Sequence, residues 1–363
     1  MTSGSGPLRY LLLAVLGFLC ASFLIACGSG TVSSSLPPRS TSFRTEQFLG
    51  GLETPVTLAF APDRRLFFNE LSTGRVRIVQ NGQLLPQPFV ELTVVIGGER
   101  GLLGLALHPL FATNHFVYVL YTDPAGVHRV LRFTEVSGVG TNPTVIVDNL
   151  PSTPSHNGGN IGFGPDGRLY ITVGDHGDPA DSQDPNSPSG KILRYNDDGS
   201  IPGDNPFGAG NPAFNLGLRN SFDFTFHPST GAIYASENGP DCDDEINRIV
   251  AGANYGWRPN YPCGDTDPAF VAPLVRFTPT IAPTGITFYT SGVLPSFQGS
   301  LLMVDFNQGR VRRFMVNESN QGQITQSTVV VDGGFGPLFD IVQGPDGFLY
   351  FSSGNAILRI VPD

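Results

Sequence analysis

One arrangement of apolar and polar positions recurs along this chain. A short apolar run meets a turn, then a strand rich in aromatic and β-branched residues, then a second strand that usually carries Arg. "LAFAPDRRLFFNE" (58–70) is followed by "RVRIV" (75–79), and "LALHPLFATNHFVYVLYT" (105–122) by "RVLRF" (129–133). "IGFGPDGRLYITVGD" (161–175) is followed by "KILRY" (191–195), and "FTFHPSTGAIYASEN" (224–238) by "EINRI" (245–249). "ITFYTSGVLPSFQGSLLMVDF" (286–306) precedes "RVRRF" (310–314), and "IVQGPDGFLYFSS" (341–353) precedes "AILRI" (356–360). Copies spaced by roughly 50–60 residues, each long enough for about four short strands, predict radial repeats of a propeller. The expectation is an all-β, six-bladed β-propeller over residues 42–363. A β-sandwich would need six coincidences of the same turn and strand grammar.

In such a blade the innermost strand runs one way and the second strand returns. Loops leading into the first and out of the second therefore share one face, near the central axis. The unusual polar residues fall in those loops. Leading in are Glu99-Arg100-Gly101, His156-Asn157-Gly158-Gly159 and Arg219-Asn220. Leading out are Gly174 to Asp178, "ENGPDCDDE" (237–245) and "DFNQGR" (305–310). The opposite face receives plain turns such as Pro165-Asp166-Gly167. Polar groups from several blades thus converge on one axial mouth, the expected place for a site.

Composition agrees with a turn-rich β-protein: Gly 45, Pro 31 and only 14% charged residues against the usual quarter or so. A net charge of −10 and the lack of a basic patch speak against a nucleic-acid partner. Arg9 followed by an apolar run to Ala26 reads as an export signal. "LIAC" ending at Cys27 resembles a lipoprotein signal, cleaved before Cys27 with lipid added to its sulfur; an ordinary cleaved signal or a short anchor are the alternatives. The expected organisation is a signal over 1–26, a Ser/Pro/Gly-rich tether over 27–41 and the propeller beyond. Such a protein would be exported and lipid-anchored to the cell envelope. Cys242 and Cys263 then remain as a possible disulfide.

His156 is the candidate base, since an imidazole can take a proton from a substrate hydroxyl near neutral pH; bonding across the mouth fits it equally. Gly158 and Gly159 would let backbone approach a flat ligand. Arg219 and Asn220 suit a carbonyl-rich or anionic ligand, or hold blades together. Asp241, Asp243, Asp244 and Glu245 suit a hard cation such as Ca²⁺, or form a solvated loop. His176 is a weaker candidate, and His108 and His227, each before a turn Pro, read as structural.

"GERGLLGLALHP", "HNGGNIGFGPDGRLYITVGD", "GLRNSFDFTFHP" and "ENGP…DEIN…NYGW", in this order, resemble the soluble glucose/sorbosone dehydrogenase family and its aldose sugar dehydrogenase branch. That resemblance spans nearly all of 45–363. It implies a six-bladed propeller that oxidises sugars with pyrroloquinoline quinone (PQQ) and Ca²⁺, and an electron acceptor that it does not name. It implies His156 as base, Glu99, Arg219 and Asn220 against the cofactor, and Gly239, Pro240, Glu245 and Tyr255 (through its carbonyl) at Ca²⁺. Three departures stand out. Glu99 replaces a frequent Gln, Asn307 stands where a Lys is expected, and Pro337 and Phe339 stand where arginines are expected. Fewer cations imply a looser hold on a tricarboxylate. A propeller that keeps Ca²⁺ but binds carbohydrate or a protein partner without redox turnover is the alternative, as is a Ca²⁺-dependent lactonase-like hydrolase.

Overall fold

A computed structural model of the protein describes residues 42–363. The signal, the lipid-bearing Cys27 and the tether expected from the sequence lie outside the described residues. Six small antiparallel sheets are present, as the repeat predicts. Their first strands are Pro55–Phe60, Leu102–Leu107, Ile161–Phe163, Ser221–Phe226, Pro283–Phe288 and Leu338–Gln343. Each packs on the next, and the sixth packs on the first, so the ring closes.

The second strands explain the apolar runs. Leu66–Glu70, Leu169–Val173, Ile233–Glu237 and Leu349–Ser353 are buried at every position. A blade is covered by a neighbour on both faces, so its central strand has no wet side and loses the usual alternation. The core is accordingly divided into six apolar clusters, one per blade interface. Tyr118 and Leu169 meet between blades two and three, and Leu58 and Ile357 between one and six.

Hydrogen bonds stitch the inner strands across those interfaces. Thr57 Oγ1 donates to the Leu103 carbonyl at 2.7 Å, and Thr284 Oγ1 to that of Leu338 at 2.9 Å. Two buried carboxyl groups do the same from the acceptor side. Asp223 Oδ2 takes the Ile286 N–H at 2.8 Å, and Asp340 Oδ2 the Leu58 N–H at 2.7 Å. Burial and mutual repulsion raise Asp223 well above its ordinary value, and burial raises Asp340 to about 7.

Two details differ from a uniform repeat. Blade three has three strands. The outermost strand of blade six comes from the other end of the described chain: Phe43–Gly50 pairs antiparallel with Ala356–Pro362, with Phe43 opposite Pro362. Pro165-Asp166-Gly167 forms the expected plain turn, closed by Gly167 N–H to the Gly164 carbonyl at 2.9 Å.

Candidate active site

The loop before blade three's inner strand places His156 with φ 57°. Its Nδ1 lies 2.6 Å from Asp175 Oδ1, at the end of the second strand of the same blade. Asp175 also accepts the Gly177 N–H at 2.9 Å and, on Oδ2, the Trp257 indole N–H at 2.7 Å. Its burial favours the neutral acid, but His156 and those two donors outweigh this and hold the carboxyl below its ordinary value. An ionised Asp175 claims the Nδ1 proton, so Nε2 carries the free lone pair. The imidazole is 20% exposed. The sequence placed Asp175 in the right loop but gave it no role, and Trp257 went unassigned. Its signals were being the single Trp of the chain and closing the "NYGW" motif.

Glu99 and Asn220 join three blades around this dyad. Glu99 Oε2 accepts the Asn157 N–H at 2.9 Å. Asn220 Oδ1 accepts the Gly158 N–H at 2.9 Å, while its Nδ2 faces both Glu99 oxygens at 3.4 Å. The Arg219 and Asn220 N–H groups both donate to Glu237 Oε1 at 2.7 Å. Arg219 lies over the Trp257 ring, 5.4 Å from its centroid, and donates to the Asn238 carbonyl at 2.9 Å. The expected His156, Glu99, Arg219 and Asn220 are therefore one connected group. The glycines also answer to packing. A Cβ on Gly158 would lie 2.9 Å from Thr172 backbone, and one on Gly159 2.7 Å from Leu103 Cδ1. Close blade packing requires both.

A narrow cleft beside Arg219 is lined by Glu237, Gly239, Pro240, Asp243, Glu245 and Tyr255. Glu237 and Glu245 face each other in register on adjacent strands, an unfavourable pairing for two carboxylates. Burial pushes Glu237 up to about 8 and Glu245 up to about 7. Glu237 Oε2 is buried without a partner. Tyr255 uses its hydroxyl to donate to the Arg248 carbonyl at 2.7 Å, which leaves its own carbonyl as the group it can offer. Asp244 is spent on the N–H groups of Gly239, Ile281 and Ala282, and Asp241 is exposed. Among the described residues no three His, Cys, Asp or Glu side chains cluster as a metal site, so a cation here would depend on main-chain carbonyls. Cys242 and Cys263 are disulfide-bonded and brace this loop.

A recess of about 430 Å³ opens at the mouth, lined by residues of all six blades. Glu99, Gly158 and Asn220 form one side; Phe222, Phe306 and Phe339 contribute to the rest. The Phe306 and Phe339 rings meet edge-on at 5.7 Å. The nearby arginines have partners: Arg310 bonds Asp332 at 2.6 Å, Arg312 bonds Asp305 at 2.9 Å, and Arg100 bonds the Gly97 carbonyl at 3.2 Å. His176 turns away, its Nδ1 3.1 Å from Ser189 Oγ, and burial lowers it to about 4. His108 and His227 accept N–H groups within their own turns, as expected of structural residues.

A six-bladed ring thus carries a hydrogen-bonded His–Asp pair at its axial mouth, next to a buried acidic cleft. The family model described as glucose/sorbosone dehydrogenase matches residues 52–360, and the chain belongs to that family. It is 31% identical to quinoprotein glucose dehydrogenase B of Acinetobacter calcoaceticus, over 62% of this chain and 55% of that protein. It is 27% identical to the aldose sugar dehydrogenase YliI of Escherichia coli (strain K12), over 91% and 96%. The PQQ-bound aldose sugar dehydrogenase structure from Streptomyces coelicolor superposes with a TM-score of 0.78 at 28% identity, covering 88% of this chain and 98% of that one. Membership supports an oxidoreductase acting on sugars.

Proposed function

We propose that this protein oxidises the hydroxyl-bearing carbon of an aldose-type sugar, using a quinone of the PQQ type and Ca²⁺, with His156 as base. The observation that carries the reading is the Asp175-held imidazole, whose Nδ1 is engaged at 2.6 Å and whose Nε2 is left to accept a proton. The acidic cleft suits Ca²⁺. Glu237 has a buried unpartnered oxygen, Glu245 stands opposite it, and a hard cation with oxygen ligands would offset both charges. Gly239, Pro240 and Tyr255 would add carbonyls. Arg219, Asn220 and His156 supply a cation, an amide and a base to a planar quinone.

The chain's own groups act as follows. His156 Nε2 takes the proton of the substrate hydroxyl. Asp175 stabilises the resulting imidazolium and fixes its tautomer, and Trp257 holds Asp175. Arg219 sits where negative charge on a cofactor oxygen is favoured. When bound, the quinone supplies the two-electron acceptor that these side chains lack. Export and lipid attachment at Cys27 belong to the same proposal and would put the site outside the cytoplasm.

The test uses the full chain with Ca²⁺, titrated with PQQ while dye reduction is followed across a panel of aldoses. Sugar-dependent turnover that His156→Ala abolishes supports the reading; turnover that survives that change removes His156 as base. A second reading, binding of a carbohydrate or protein without turnover, draws on the Phe306–Phe339 side of the recess. It requires ligand binding that His156→Ala leaves intact, with no dye reduction.

A further inference from the structure

The recess has a mixed lining. Glu99 and Asn220 share a hydrogen bond and the Gly158 N–H is already taken by Asn220. The rest is largely apolar and includes Val56, Leu103, Phe222, Phe306 and Phe339. Phe306 is 44% exposed, an unusual position for a phenyl ring that contacts another ring at 5.7 Å. No Lys or Arg is among the residues that line this space. The single Lys of the chain, Lys191, is buried in blade three and donates to the Asp181 and Ser189 carbonyls at 2.7 Å. Arg310 and Arg312 are both held by carboxylates and by Gln308 Oε1, at 2.7 and 2.6 Å. The one ionisable group on the lining is Glu99, an acid.

Charge and shape therefore agree on what fits. A carboxylate entering this space would lose water and meet phenyl rings or Glu99, with no cation on the lining in return; Arg219 lines the adjoining acidic cleft instead. A flat conjugated ring would meet phenyl side chains, contacts that rings favour. The volume suits one ligand of cofactor size. We propose that Phe306 and Phe339 are specificity-determining residues, which make the mouth select a flat ring of low charge over a polyanion. This rests on the quinone reading above and refines it: the quinone is gripped by ring contact, and its carboxylates contribute little.

Trp257, the single Trp, reports on the site by its fluorescence because it contacts both Asp175 and Arg219. The full chain with Ca²⁺ is titrated with PQQ, which carries three carboxylates, and with its uncharged trimethyl ester. The expected result is at least tenfold tighter binding of the ester, with PQQ affinity nearly independent of salt. Phe339→Arg reverses that order and makes PQQ binding fall with salt. Phe306→Lys, at the more exposed ring, gives the same reversal should Phe339→Arg fail to fold. Tighter, salt-sensitive binding of PQQ to the unaltered chain overturns the proposal while leaving the quinone reading in place. Binding of neither compound overturns both.

Discussion

Asp175→Asn separates the role of the carboxylate from that of its shape. Asp175 Oδ1 receives His156 Nδ1 at 2.6 Å and Gly177 N–H at 2.9 Å, and Oδ2 receives the Trp257 indole at 2.7 Å. Three donors thus converge on two acceptor oxygens. An amide offers one oxygen and one NH₂. If its oxygen faces His156, the NH₂ opposes the Trp257 N–H. If its oxygen faces Trp257, the NH₂ opposes Gly177 and forces the proton of His156 onto Nε2. Each arrangement leaves a buried donor unpaired, at a cost of about 1–3 kcal/mol. The second also removes the lone pair that serves as base. The expected loss in kcat is about 10²–10⁴-fold, the usual worth of a positioned base. The upper end matches the loss of about 10⁴-fold when the Asp behind the His of a Ser-His-Asp triad becomes Asn. Steady-state dye reduction with the loaded enzyme measures it, and a thermal melt separates lost chemistry from lost fold. A kcat within threefold of the unaltered enzyme would refute the assignment of Asp175.

Three further outcomes follow from the same structure. Saturating Ca²⁺ at about 100 times its Kd raises stability by about 2.7 kcal/mol, seen as a higher Tm; Glu237→Gln with Glu245→Gln abolishes that rise if the acidic cleft is the site. Replacing Cys242 and Cys263 by Ser opens a loop of sequence separation 21; a loss of about 3 kcal/mol is expected from loop closure alone, read by denaturant unfolding. Asp340 is held protonated by burial up to about 7, against about 3.9 for an unfolded carboxyl. Its stabilising contribution is complete below pH 4 and is lost as pH rises through 7. Stability measured from pH 5 to 8 falls, and Asp340→Asn lessens that slope, with Asp223, Glu237 and Glu245 supplying the rest; an unchanged slope sets Asp340 aside.

Much of this was legible in the residues. Two buried faces per blade make the second strands continuously apolar, and that run, repeated at constant spacing, announces the ring. The site loops were also readable, because Glu99, His156 and Arg219-Asn220 interrupt a regular pattern at corresponding places. Partners were not. Nothing in the spacing says that Trp257, 82 residues from Asp175, donates to it, since the contact crosses between blades. Likewise nothing in the spacing says that Gly158 and Gly159 also pack closely against Thr172 and Leu103. Phe306 and Phe339 could be counted but not paired, because they come from different blades and meet only when blades five and six pack.

The clasp between Phe43–Gly50 and Ala356–Pro362 has a consequence for how the protein is made. Blade six needs residues from both ends of the described chain, so it cannot be completed on a ribosome until the final strand has emerged. Until then the inner strand of blade one lacks the Asp340 acceptor for its Leu58 N–H, and the faces of blades one and six stay open to solvent. Such pairings, separated by more than 300 residues, fold slowly and leave apolar edges exposed in the interval. The ring behaves as a latch set by its last few residues, and trimming the C-terminal strand is expected to cost far more than its seven residues would suggest.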